Sequence, residues 1–324
     1  MTETVDLFGP VAADLARVEA NLRKSIGQDP DVVSAPMSDL FEAGGKRIRP
    51  ALVLLTAMCG RYEFERLTPA AMAVEMTHAA TLVHDDVIDR STVRRGRPTV
   101  AARLGDEPAI VIGDYYFAKA YDEAAQTGSA EVVAILAEAV MKICAGEVRQ
   151  QSIRHCYSTD VEEYMRRIEA KTATLLAASC EIGAVLAALA EKERSAVRDY
   201  GHALGLAFQI ADDVLDYTGT ETDIGKPIGH DVAEGFATLP LMLAREDVRA
   251  SDALRRALVD GQKLTEQQAR DVADIVRASD GPSRALDVAR EHAEVARRHL
   301  EALPRSEAVV ALAGLADYVV SRKL

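Results

Sequence analysis

Two short acidic runs are the residues of this chain best suited to chemistry: Asp85-Asp86-Val87-Ile88-Asp89 and Asp212-Asp213-Val214-Leu215-Asp216. Residues four apart share a helix face, so Asp85 projects with Asp89 and Asp212 with Asp216, while Asp86 and Asp213 sit about 100° round the axis. Like charges at that spacing destabilise an isolated helix by about 0.2–0.5 kcal/mol, and burial raises the cost. Both runs follow apolar sequence, Ala79-Ala80-Thr81-Leu82-Val83 and Leu206-Ala207-Phe208-Gln209-Ile210-Ala211. A solvated charge run is the plain alternative for either one alone, and two copies in similar settings weigh against it. Carboxylate oxygens completed by water and phosphate oxygens suit Mg²⁺. Asp85, Asp86, Asp89, Asp212, Asp213 and Asp216 are therefore the candidate metal ligands, with an anionic ligand beside them. No Gly-containing acidic loop of EF-hand spacing is present, which sets Ca²⁺ storage aside.

Two basic stretches supply the opposite charge. Gly44-Gly45-Lys46-Arg47-Ile48-Arg49-Pro50 packs three cations between two glycines and a proline. That is a poor helix interior but brings cationic side chains and backbone close to an anion, although alone it reads equally well as a solvated loop. Arg94-Arg95-Gly96 follows the first acidic run, and guanidinium forks suit phosphate oxygens.

The elements that position these groups read as helices. Hydrophobic residues make up 48% of 324 residues, yet aromatics are only 5% and there is no Trp, so Ala, Leu and Val must fill the core of closely packed helices. Apolar residues recur at helical spacing, as in Leu15, Val18, Leu22 and Ile26; Val132, Ile135, Leu136 and Ala139; Leu254, Leu258 and Val259; and Ala308, Leu312, Leu315 and Val319. No run alternates as a strand would. Breaks fall at Gly27–Pro30, Gly60–Tyr62, Arg95–Pro98, Gly105–Pro108, Gly225–Pro227 and Asp280–Pro282. Without a linker or composition shift, residues 1–324 are expected to form a single all-α domain.

A net charge of −13 argues against nucleic acid as a partner. Cys59, Cys144, Cys156 and Cys180 show no metal-ligand spacing and read as ordinary thiols in a reducing compartment. Met1 to Pro10 carries acids and no basic n-region, and the most apolar stretch, about Thr172 to Ala190, is interrupted by Glu181. A bundle helix rather than a membrane span, and a cytoplasmic location, are the expectations.

The order of these segments resembles the trans-polyprenyl diphosphate synthases, the polyprenyl synthetase family. The matching pieces are GGKRIRP at 44–50, Glu75-Met76-Thr77-His78 leading to HDDVID at 84–89, RRG at 94–96, GDY at 113–115, Gly146-Glu147 with Gln150, Lys171-Thr172, FQIADDVLD at 208–216, GKPIGHD at 225–231 and TLP at 238–240. The resemblance implies a single large helical bundle of the isoprenoid synthase type with a central cavity. It implies head-to-tail condensation of isopentenyl diphosphate with an allylic diphosphate held between the two aspartate runs. It further implies that Lys46, Arg49, His78 and Arg95 hold the isopentenyl diphosphate. Arg94, Lys171, Thr172, Gln209 and Lys226 would hold the allylic diphosphate, with Mg²⁺ as cofactor. Asp85, Asp86, Asp89, Asp212, Lys171 and Arg94 form the implied catalytic set. A homodimer touching membranes only through its apolar product is the implied assembly. His78 alone reads as a core histidine, and His84 as a structural group. One departure stands out: Phe236 occupies a position where many members carry a lysine, which leaves the allylic site less basic.

The resemblance further implies that product length is set along the helix before Asp85. Ala80 and Thr81 lie near the first depth gate, and Thr77, Ala73 and Ala70 are small too. Short-chain members often carry aromatics at the gate, so a product of geranylgeranyl length or longer is expected. Met76, Tyr116 or Phe117 could form a floor, with core packing as their plain alternative. The rival readings are a class I terpene cyclase, disfavoured because the second run is another DDxxD, and a non-catalytic partner subunit, disfavoured because both aspartate sets are intact.

Overall fold

The structure is a computed structural model that describes residues 8–219 and 228–321. Its helices are α1 (Ala12–Gly27), α2 (Asp31–Glu42), α3 (Ile48–Ala57), α4 (Phe64–Ile88), α5 (Val100–Leu104), α6 (Asp106–Gln126), α7 (Ala130–Ser152), α8 (Val161–Ile168), α9 (Thr174–Leu186), α10 (Glu191–Thr218), α11 (His230–Ala233), α12 (Leu239–Ala244), α13 (Ser251–Ala257), α14 (Glu266–Arg277), α15 (Gly281–His299) and α16 (Glu307–Ser321). The all-α expectation holds. Among the described residues the strands are β1 (Val93–Arg94) and β2 (Arg97–Pro98), paired antiparallel with Val93 opposite Pro98. They form a hairpin at the break expected over 95–98.

The helical faces follow the apolar period. Leu15, Val18, Leu22 and Ile26 are all buried on α1, and Ala308, Leu312, Leu315 and Val319 on α16. Termini carry local signals as well: the Asp160 side chain accepts from the Glu163 amide, and Thr265 and Gln268 form a capping box at the start of α14. One expected face is cut short. Helix α13 ends at Ala257, Leu258 turns extended, and Val259 is exposed.

The chain divides into two compact units. One comprises residues 1–140, 175–201 and 299–314; the other comprises 141–174, 202–298 and 315–324. In the first, α4 packs along α6, and α3 presents a fully buried run from Ala51 to Ala57. In the second, the core gathers Tyr164, Ile168, Ile210, Val214 and Tyr217 with Leu254, Val272, Val276 and Ala289. Between α8 and α9 lies a π-helical segment, Glu169–Ala173, a form that recurs at functional sites. No described helix is long and apolar enough to cross a membrane, and all four cysteines are free thiols.

Candidate active site

The first aspartate run forms the end of α4. Asp85 and Asp86 lie in the last turn and Asp89 is the C-cap, its amide still donating to the Asp85 carbonyl at 2.8 Å. Asp86 is 2% exposed and gripped by Arg94, whose Nε donates to Oδ1 at 2.9 Å and to Oδ2 at 3.1 Å, with Nη2 2.8 Å from Oδ1. The Ser91 amide donates to the Asp86 carbonyl at 2.9 Å, which turns the chain into the hairpin bearing Arg94 and Arg95. His84 fits against Gly113 of α6, where a Cβ would lie 2.1 Å from its Nε2. That nitrogen sits 3.0 Å from the Ile110 carbonyl, and the ring packs 5.6 Å from Phe117. These contacts give His84 and Phe117 a packing role.

The basic loop is organised by a cation the sequence leaves without a role. Arg47 adopts a left-handed backbone, φ 50°, at the N-cap of α3. Its Nη1 donates to Glu75 at 2.6 Å, Nε to Glu19 at 2.9 Å, and Nη2 to the Phe41 carbonyl at 2.8 Å. Glu75 is 4% exposed, so Arg47 is tied to a buried carboxylate and anchors the loop that carries Lys46 and Arg49. Lys46 itself is exposed. Arg49, Arg95, Arg94 and Arg47 all press charge on His78, whose pKa falls well below its usual value, first through burial and then through these neighbours. His78 is therefore neutral within a cationic cluster. Arg95 is solvent-exposed along much of its length, but protein crowding and then the charges of Arg47 and Arg94 hold its pKa down as well. Arg49, His78 and Arg95, three of the residues expected to take isopentenyl diphosphate, thus share one electrostatic neighbourhood. A neutral His78 can accept or donate there.

The second aspartate run occupies the last two turns of α10 and is not a copy of the first. Asp213, 3% exposed, takes a hydrogen bond from Gln209 Nε2 at 2.7 Å on Oδ1 and from the Tyr164 hydroxyl at 2.8 Å on Oδ2. Gln209 in turn accepts from the Thr172 hydroxyl at 2.6 Å. Asp216 accepts from the His230 and Asp231 amides, each at 3.2 Å, and so fixes the chain that follows residues 220–227. Burial and then the Asp231 charge push the Asp213 carboxyl up to about 7 and the Asp216 carboxyl up to about 8. Asp212 is half-buried. Lys171 and Thr172 lie in the π-helical segment. That segment is packed against Gly205 of α10, where a Cβ would sit 2.4 Å from the Ala173 Cα. Lys171 Nζ is 3.3 Å from Glu147. Lys226 lies outside the described residues.

Asp86 of the first run and both Asp213 and Asp216 of the second are thus buried and held by protein partners. Glu75, Glu147 and Asp231 were legible, since each falls inside a motif quoted above. Arg47 and Tyr164 carry no such role in the sequence reading. On the helix face expected to gate chain length, Ala80 and Thr77 are fully buried and Thr81 donates to the His78 carbonyl at 2.7 Å. Among the described residues the buried Thr77 hydroxyl has no hydrogen-bond partner. Tyr116 is fully buried, with its hydroxyl on Asp29 at 3.0 Å.

The donor set fits a divalent cation. Both runs end helices, where the negative end of the macrodipole adds to carboxylate repulsion. Among the described residues no three acidic, His or Cys groups converge closely enough to hold a metal ion by themselves. A hard cation bound at either run would take the rest of its coordination shell from phosphate and water.

Comparison with known proteins agrees. The polyprenyl synthetase family model matches residues 30–277. The chain is 36% identical over 316 residues to heptaprenyl diphosphate synthase component 2 of Geobacillus stearothermophilus, covering 98% of each. It is 36% identical over 313 residues to nonaprenyl diphosphate synthase of Mycobacterium tuberculosis, covering 96% of this chain and 93% of the other. A polyprenyl synthase from Caulobacter crescentus, solved with calcium and isoprenyl diphosphate, superposes with a TM-score of 0.92 at 38% identity, covering 99% of this chain and 98% of that one. With its helical architecture and ordered motifs, this chain belongs to the polyprenyl synthetase family.

Proposed function

We propose that this chain condenses isopentenyl diphosphate with an allylic diphosphate, head to tail and with release of diphosphate, to make an all-trans polyprenyl diphosphate of geranylgeranyl length or longer. The observation that carries the reading is the cationic cluster around neutral His78, joined to the first aspartate run by the Arg94–Asp86 clamp. An anion site so close to carboxylates is self-defeating unless a cation joins them. Magnesium, when bound by Asp85, Asp86, Asp89, Asp212, Asp213 and Asp216, offsets the charge that builds on the leaving diphosphate.

The chain's own residues do the rest. Lys46, Arg49, Arg95 and neutral His78 bind the isopentenyl diphosphate and leave its double bond oriented. Arg94, Lys171, Thr172 and Gln209 hold the allylic diphosphate, with Lys226 from outside the described residues. The carbon–oxygen bond of the allylic partner breaks, the isopentenyl double bond attacks the allylic carbon, and a proton leaves to the departing diphosphate. Ala80, Thr81 and Thr77 line the path of the growing chain, and apolar walls exclude water. The full chain acts as one domain and as a homodimer in the cytoplasm on this reading.

Purified protein incubated with Mg²⁺, isopentenyl diphosphate and primers of increasing length should yield elongated products, which chromatography sizes. Cyclised hydrocarbon from a primer alone would instead favour the cyclase. No elongation with any primer would favour the partner subunit.

A further inference from the structure

Phe236 lies between two arginines. The Arg154 guanidinium carbon is 5.6 Å from the ring centroid and that of Arg167 is 5.5 Å away. The loop that carries the ring is tightly held. Gly235 has φ 92°, and a Cβ there would sit 2.2 Å from His155 Nδ1. The His155 amide donates to the Gly235 carbonyl at 2.8 Å, and the Phe236 amide donates to the Asp231 carbonyl at 2.9 Å.

The two guanidiniums differ in what remains of their charge. Arg154 pairs with the Glu234 carboxylate and donates from Nε to the Glu234 carbonyl at 2.8 Å. Arg167 donates to the Ala237 carbonyl at 3.0 Å and lies 5.3 Å from the Tyr164 ring centroid. Among the described residues it pairs with no carboxylate, so its charge stays available. The Tyr164 hydroxyl holds Asp213, whose carboxyl feels the Arg167 charge against that of Asp231. Arg167 also precedes Lys171 by four residues on the same helical stretch, the spacing at which side chains share a face.

We propose that Arg167 is a positioning residue for the second aspartate run: seated on the Tyr164 and Phe236 rings, it supplies there the positive charge that residue 236 does not. Guanidinium suits the role because it stacks on ring faces and keeps its charge. The proposal rests on the reading above only in naming the ligand, a magnesium-complexed diphosphate.

The test is calorimetric titration of the full chain with inorganic diphosphate in excess Mg²⁺, alongside KM values for both substrates. Arg167→Met should weaken diphosphate binding about tenfold, the scale of one hydrogen bond to a charged group, and raise the allylic KM without moving the isopentenyl KM. Arg167→Lys should retain part of the affinity. Phe236→Lys alone should bind no tighter than wild type, because it removes a stacking ring and adds a third cation beside two. Arg167→Met combined with Phe236→Lys should recover affinity over Arg167→Met. Unchanged diphosphate affinity in a folded Arg167→Met protein overturns the proposal, as does Phe236→Lys binding tighter than wild type. If Arg167→Met fails to fold, Arg167→Lys and Phe236→Leu carry the test, and wild-type affinity in both overturns it. Because binding is read without turnover, a wild type that binds diphosphate in this pattern yet elongates nothing would fell the assigned reaction and leave Arg167 its role.

Discussion

Replacing Arg47 by Met tests whether the basic loop is held from beneath. Arg47 and Glu75 have side chains 11% and 5% exposed and meet at 2.6 Å, so both ions are desolvated and each depends on the other. Glu19, 30% exposed and 2.9 Å away, shares the guanidinium. Removing one partner of a buried pair costs about 3–5 kcal/mol, because the remaining charge is stranded, whereas an exposed pair is worth about 0–1 kcal/mol. Arg47→Met should therefore lose about 3–5 kcal/mol in urea unfolding. Arg47→Met with Glu75→Gln should recover much of that, since no stranded carboxylate remains. The left-handed backbone at Arg47 precedes Ile48 at the start of α3, so the loop bearing Lys46 and Arg49 should shift in the single variant. Steady-state kinetics should then show a raised isopentenyl KM with little change in the allylic KM. A loss below about 1 kcal/mol, the surface value, would refute the reasoning, and so would a double variant no more stable than Arg47→Met.

Three further outcomes follow from the same geometry. His78 is held neutral in the fold, while in the unfolded chain it takes a proton near its ordinary pKa of about 6.5; the native state thus loses stability as pH falls through that value, by up to about 1.4 kcal/mol per pH unit. His78→Gln should flatten the dependence between neutral and mildly acidic pH in denaturant titrations, and an unchanged slope would count against a neutral His78. Gly205→Ala drives a Cβ into the backbone of the π-helical segment and should cost about 1–3 kcal/mol of stability while raising the allylic KM; a variant with native melting and kinetics would show that the close approach is not needed. Ala80→Phe fills a fully buried position on the chain-length face and should shorten the products seen by chromatography; an unchanged distribution would place the growing chain elsewhere.

The helices were legible because burial repeats along them: Leu15, Val18, Leu22 and Ile26 announce α1 without any partner being known. The hairpin at 93–98 was not, because two-residue strands are too short to alternate, and only Gly96 and Pro98 mark a turn there. The π-helical segment has no sequence signal of its own, and its close approach to Gly205 joins residues far apart along the chain. The aspartates could be found, but not their division of labour. Asp213 is committed to Tyr164, 49 residues away, and Asp86 to a clamp that forms only once the hairpin has turned. Arg47 reads as one of three loop cations, and only the fold brings Glu19 and Glu75 to its guanidinium. Phe236 reads as a lost charge until Arg167 is seen against its ring.

The most direct measurement is incorporation of labelled isopentenyl diphosphate into polyprenyl product by wild type, Asp85→Ala and Asp212→Ala, with Mg²⁺ present and helicity checked by circular dichroism. Elongation by wild type, with a fall of about 10²-fold or more in each variant at unchanged helicity, is the predicted result. Near-normal turnover in both variants, or no incorporation by wild type with any allylic primer, would contradict it.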